Sequence, residues 1–160
     1  MSPPFDVHPE MMAQIEAAKA LPPATSVAAW RANWAVYTDA TRRPYPPGMV
    51  VTDRAVPLGG RSVKVRIYRP AGLGDAAPCI VYFHGGGFMK GDCDSSDTAA
   101  WGLAEESRAV LVSVDYRLAP EYPYPAAFDD CYGVTGYLAW HGRTLGIDGQ
   151  RLAVSGDSAG

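Results

Sequence analysis

Residues 152–160 read Leu152-Ala153-Val154-Ser155-Gly156-Asp157-Ser158-Ala159-Gly160, a strand-length run that breaks into glycine, serine and glycine. The run reads as a β-strand, and Gly156–Gly160 at its end fits G-x-S-x-G, the pattern of a nucleophile elbow. A serine at the tip of a sharp strand-to-helix turn has a strained backbone and an exposed hydroxyl, and flanking glycines relieve the crowding. With glycine near its average abundance, the pattern arises by chance in about one chain of this length in twenty. Its place directly behind a strand is what gives it weight.

Upstream, His84-Gly85-Gly86-Gly87-Phe88 also ends an apolar run, Cys79-Ile80-Val81-Tyr82-Phe83. Three consecutive glycines let the backbone approach a ligand and present several N–H groups to it, as a tetrahedral oxyanion requires. A phosphate loop would need Lys followed by Ser or Thr, but Lys90 is followed by Gly91 and Asp92. His84 itself reads as a structural histidine that orients the loop rather than as a base.

The rest of the chain supplies a scaffold for these two stretches. Ala109 to Val114 is a second continuous apolar run, and such runs suit buried parallel strands. Ser95 to Ser107 and Ala126 to about Leu145 read as the intervening helices. Ahead of them, Val50–Val56 and the alternating Val63, Val65 and Ile67 predict an antiparallel hairpin turned at Gly59-Gly60. Strands alternating with helices predict an α/β fold with a mostly parallel sheet and an antiparallel leading edge. Residues 1–45 read as two helices, one starting at Pro9 and one capped near Thr25-Ser26, before Arg42–Gly48 breaks the pattern. A helical cap segment is therefore expected over 1–45, and the catalytic-domain portion over 46–160. Trp30, Trp34 and Tyr37 line one side of the second helix, as core packing or as a lid over an apolar pocket.

Composition removes several classes. Across 160 residues the net charge is −3, with 48% hydrophobic and 19% charged residues, so neither a disordered chain nor a nucleic-acid binder with a basic patch is expected. No apolar run approaches a membrane span, and Ser2-Pro3-Pro4-Phe5-Asp6 lacks the basic and apolar stretches of a secretory leader. Three cysteines without a C-x-x-C pair make neither a disulfide framework nor a zinc site, which favours the cytoplasm.

Taken together, four ordered motifs resemble the hormone-sensitive-lipase family (bacterial family IV) of α/β-hydrolase esterases. They are His84–Phe88, Asp115-Tyr116-Arg117-Leu118-Ala119-Pro120-Glu121, Pro125-Ala126-Ala127 with Asp129-Asp130, and Gly156–Gly160. The resemblance implies an α/β-hydrolase fold whose N-terminal helices cap the site. It implies a serine carboxylesterase for short-chain acyl esters, with no metal or organic cofactor. Ser158 is then the nucleophile, and the N–H groups of Gly86, Gly87 and Ala159 hold the oxyanion, with Gly85 a further candidate. Asp157 matches a family variant and is not expected to be the triad acid. Arg117 and Glu121 are spaced to pair across a turn. A non-catalytic small-molecule receptor on the same fold, an amidase or a dehydratase are the alternatives, and a homodimer is left open.

Chain order adds one expectation. In α/β-hydrolases the acid and the histidine come after the serine, whereas His8, His84 and His141 all precede Ser158. Residues 1–160 are thus expected to be the front half of a longer polypeptide, whose remainder carries the acid and base and covers the Leu152–Ser155 strand.

Overall fold

Gly59 and Gly60 both adopt positive φ, +50° and +89°, the geometry that lets a two-residue turn follow the twist of its flanking strands. They join β1 (Val50–Leu58) to β2 (Arg61–Arg69), with Leu58 opposite Arg61. The computed structural model describes residues 7–160. The Ser2–Asp6 stretch, read above for a leader, lies outside the described residues.

Three further strands join them, β3 (Ala77–Phe83), β4 (Val110–Asp115) and β5 (Ile147–Gly156), giving among the described residues five strands in the order β1-β2-β4-β3-β5. The β1/β2 and β2/β4 pairings are antiparallel and the β4/β3 and β3/β5 pairings parallel. Only β2 therefore runs against the other strands. β3 lies between β4 and β5, so the chain leaves its carboxyl end where strand order reverses, the crevice in which open α/β sheets place their ligands.

Helices cover both faces. α4 (Ala126–His141) buries Val134 and Leu138, one turn apart, against Val65, Val81, Val112 and Val114. A short 3-10 helix, Gly142–Leu145, continues it, so the helix expected to reach Leu145 tightens over its last turn. On the opposite face α3 (Asp97–Ser107) packs Ala100 and Ala104 onto Tyr68, Tyr82 and Leu111. β2 is consequently more enclosed than its alternation suggests, because Tyr68 is fully buried and donates its hydroxyl to Asp97 at 2.8 Å. Arg66 beside it reaches Asp53, Asp94 and Asp97 and ties β1, β2 and α3 together.

The N-terminal region forms α1 (Pro9–Lys19) and α2 (Val27–Ala40), with Ser26 capping α2 by accepting from the Ala29 N–H at 3.1 Å. β5, read from the sequence as an interior strand, is the outer edge of the sheet among the described residues, and Val154 is 63% exposed there. No helix among them is long and apolar enough to cross a membrane.

Candidate active site

β5 ends at Gly156 and the chain reverses over Asp157–Gly160, with the Gly160 N–H donating to the Asp157 carbonyl at 2.9 Å. Ser158, at the tip, has φ +53°. For a residue with a Cβ this left-handed conformation costs about 1–3 kcal/mol, and such strain persists only where surrounding structure imposes it. The imposition is visible in the flanking glycines. A Cβ on Gly156 would run into the Gly160 carbonyl carbon, and one on Gly160 into the Phe83 carbonyl at the end of β3. The elbow is thus wedged against the start of the glycine-rich loop, and its hydroxyl-bearing residue is exposed.

The loop is equally constrained. Gly86, Gly87 and Phe88 all have positive φ, +134°, +63° and +60°. A Cβ on Gly86 would strike the Lys90 carbonyl. The Met89 and Lys90 N–H groups both donate back to the Gly86 carbonyl at 3.2 Å, and the Ala119 N–H donates to the Phe88 carbonyl at 2.8 Å. One carboxylate joins loop and elbow. Asp157 Oδ1 accepts the Gly85 N–H at 2.8 Å and the Tyr82 hydroxyl at 2.7 Å. The Gly85 N–H is therefore already engaged, which removes it from the candidate oxyanion donors and leaves Gly86, Gly87 and Ala159. Nothing in the sequence signals that bridge, because Gly85 lies 72 residues from Asp157.

Gly87 and Ala159 border an apolar groove of about 750 Å³ whose walls include Phe88, Met89, Tyr124, Phe128 and Tyr132. Gly86 is half-buried and, like Ser158, does not itself line the groove. No described residue of α1 or α2 lines it either. Trp30 and Trp34 instead flank Lys90, whose Nζ lies 5.3 and 4.0 Å from their ring centroids.

His84 is buried under Tyr116, ring on ring at 4.1 Å, and Tyr116 donates its hydroxyl to the His84 carbonyl. Burial lowers the imidazole pKa, so at neutral pH the ring is uncharged and its Nδ1 donates to the Gly85 carbonyl at 3.0 Å. His84 thus braces the loop and is poorly placed to take a proton from Ser158. His141 lies on the last turn of α4 against Tyr137. Cysteine is also unsuited to nucleophilic attack here, since burial pushes the thiols of Cys79, Cys93 and Cys131 up to about 12. Among the described residues no group of three or more His, Cys, Asp or Glu side chains could hold a metal ion.

Two ion pairs fix the surroundings, and neither is the pair that spacing suggested. Arg117 turns from Glu121 to the buried Asp130 of α4, with Nε and Nη2 both at 2.8 Å, and Arg61, the first residue of β2, joins them at 3.0 Å. Glu121 is taken instead by Arg31 of α2, at 2.7 and 2.8 Å. Burial alone would raise the Asp130 carboxyl, but hydrogen bonds from the Arg117 side chain and backbone and from Arg61 outweigh it and hold the pKa below the ordinary range.

Known proteins share this geometry. A family model described as the alpha/beta hydrolase fold matches residues 80–160. Esterase LipI of Mycobacterium tuberculosis is 47% identical over 124 residues, which are 76% of this chain and 39% of that protein. Ethyl acetate hydrolase of Pseudomonas putida is 44% identical over 105 residues, 63% of this chain and 32% of that protein. The structure of a hyperthermophilic esterase from Pyrobaculum calidifontis superposes with a TM-score of 0.83 at 36% identity, covering 98% of this chain and 51% of that one. The chain therefore spans about half the length of the solved structure it matches, and less of the curated relatives. With the elbow, the glycine loop and the sheet order all in agreement, the chain belongs to the α/β-hydrolase fold family.

Proposed function

We propose that the protein is a serine carboxylesterase acting on short-chain acyl esters. The observation that carries this reading is Ser158 at φ +53°, on an elbow wedged against Phe83 and His84 where the glycine-rich loop begins. The Ser158 hydroxyl attacks the ester carbonyl, the N–H groups of Gly86, Gly87 and Ala159 stabilise the oxyanion, and an acyl-enzyme forms as the alcohol leaves. Water then releases the acid through a second tetrahedral intermediate. The general base and its carboxylate partner are assigned to sequence beyond Gly160, because His84 is braced in the loop and no other histidine lies on the elbow. The apolar walls of the groove suit the hydrocarbon portion of an ester, and a relative named for ethyl acetate agrees with a short acyl chain.

Residues 1–45 act as a cap segment on the portion that comes after them. The ties from α2 to Met89, Ala119 and Glu121 support that division. A cytoplasmic location agrees with three free cysteines, two of them fully buried. The test is hydrolysis of p-nitrophenyl acetate, butyrate and longer esters by the full-length protein. Turnover that falls with acyl length is expected. No ester turnover, or preference for the matching anilides, would overturn the reading.

A further inference from the structure

Arg31 of α2 reaches across the molecule and commits its whole guanidinium to three partners. Its Nε donates to the Met89 carbonyl at 2.7 Å, and its Nη2 to the Ala119 carbonyl at 3.0 Å. Nη1 and Nη2 also grip both oxygens of Glu121, at 2.8 and 2.7 Å. The two carbonyls belong to the framework of the glycine loop. Met89 comes directly after Gly86-Gly87-Phe88 and closes the loop through its own N–H, while the Ala119 N–H holds Phe88. On the same side of α2, Trp30 and Trp34 flank the Lys90 ammonium. α2 itself buries no residue fully. The polar grip that ties it to the body lands on the glycine loop, which carries the proposed oxyanion donors.

We infer that Arg31 is a positioning residue of the proposed esterase: it fixes the Met89 end of the glycine loop and thereby aims the Gly86 and Gly87 N–H groups. The inference rests on the esterase reading. A planar fork is required, because two carbonyls and a carboxylate in different directions cannot be met by the compact ammonium of lysine.

The experiment compares wild type, Arg31→Ala and Arg31→Lys in the full-length protein, by ester kinetics and by amide deuterium exchange. Both variants are expected to lose about tenfold in kcat with KM within about twofold, less than the ~10²–10³ lost with a whole oxyanion donor. Exchange at Met89 and Lys90 should accelerate while β3 and β4 stay protected. Ethylguanidinium, but not ethylammonium, should restore part of the kcat of Arg31→Ala. Unchanged kcat in either folded variant, a change in KM alone, or unchanged exchange at Met89 and Lys90 would overturn the inference. If Arg31→Ala does not fold, Arg31→Lys, which keeps a cation beside Glu121, decides by the same two readouts. A wild-type protein without ester turnover would overturn the functional reading alone, and the exchange data would still decide what Arg31 does.

Discussion

Ser158 is held in a conformation that its side chain disfavours, and Asp157 next to it holds the neighbouring loop. These adjacent residues are expected to fail differently. Ser158→Ala should keep the fold and abolish ester turnover, a loss of well over about a thousandfold if serine is the nucleophile. Asp157→Ala leaves the buried Gly85 N–H without its acceptor, which costs about 1–3 kcal/mol. It should lower both the melting temperature and kcat. Asp157→Asn still offers an Oδ1 to Gly85 and Tyr82 and should recover most of both. Thermal unfolding and kinetics on the two variants check this, and an Asn variant as damaged as the Ala variant would mean that charge, not the shared acceptor, matters. The thiols give a simpler test. Since burial pushes them up to about 12, iodoacetamide at pH 8 should leave activity intact, and rapid inactivation would implicate a cysteine.

Asp130 shows how a helix is fastened to the sheet. Its fully buried carboxylate is met by Arg117 and Arg61, so α4 is tied to both the β4–α4 connection and β2. Removing a partner from such a buried carboxylate typically costs about 3–5 kcal/mol, and Arg117→Ala, which leaves the buried Asp130 with Arg61 alone, should destabilise by up to about that much in urea unfolding. The pH dependence is set by the sign of the shift. The Asp130 carboxyl is held below its ordinary range in the fold. Its contribution is therefore complete above the unfolded value of about 3.9 and is lost as pH falls through the lower folded value. Acid unfolding of wild type should steepen below about pH 4, and the Asp130→Asn protein, starting from lower stability, should show less of that steepening. The Arg31–Glu121 contact should also persist into acid, because the Arg31 guanidinium hydrogen bonds bring the Glu121 carboxyl down to about 2. Neither ion pair was legible in the sequence. Arg117 and Glu121 stand four apart and look like partners, yet each pairs with a side chain from another element. Spacing along the chain reports neighbours on one helix or turn, and says nothing of what the fold brings across. The strands were legible for the converse reason: Ala109–Val114 and Cys79–Phe83 are buried on both faces, so every residue must be apolar or small. The enclosure of β2 was not, because the cover over Tyr68 comes from α3, 29 residues further on.

For the whole molecule, the sheet order puts the carboxyl end of β3 beside that of β5, and both glycine-rich stretches leave the sheet there. That convergence of a serine-bearing elbow with a glycine-rich loop was legible, since each motif sat at the end of a readable strand. What stayed hidden was the mortar, Asp157 to Gly85 and Arg31 to Met89, which depends on side-chain reach in three dimensions. Through those two ties α2, the loop and the elbow are connected, with the apolar groove opening beside the loop and elbow. The measurement that tests this arrangement most directly is labelling of the full-length protein with a serine-directed p-nitrophenyl phosphonate, followed by mass spectrometry of the modified peptide. One adduct per chain, on Ser158, formed in step with loss of ester hydrolysis, is the expected result. An adduct on any other residue, or full inactivation without modification of Ser158, would contradict it.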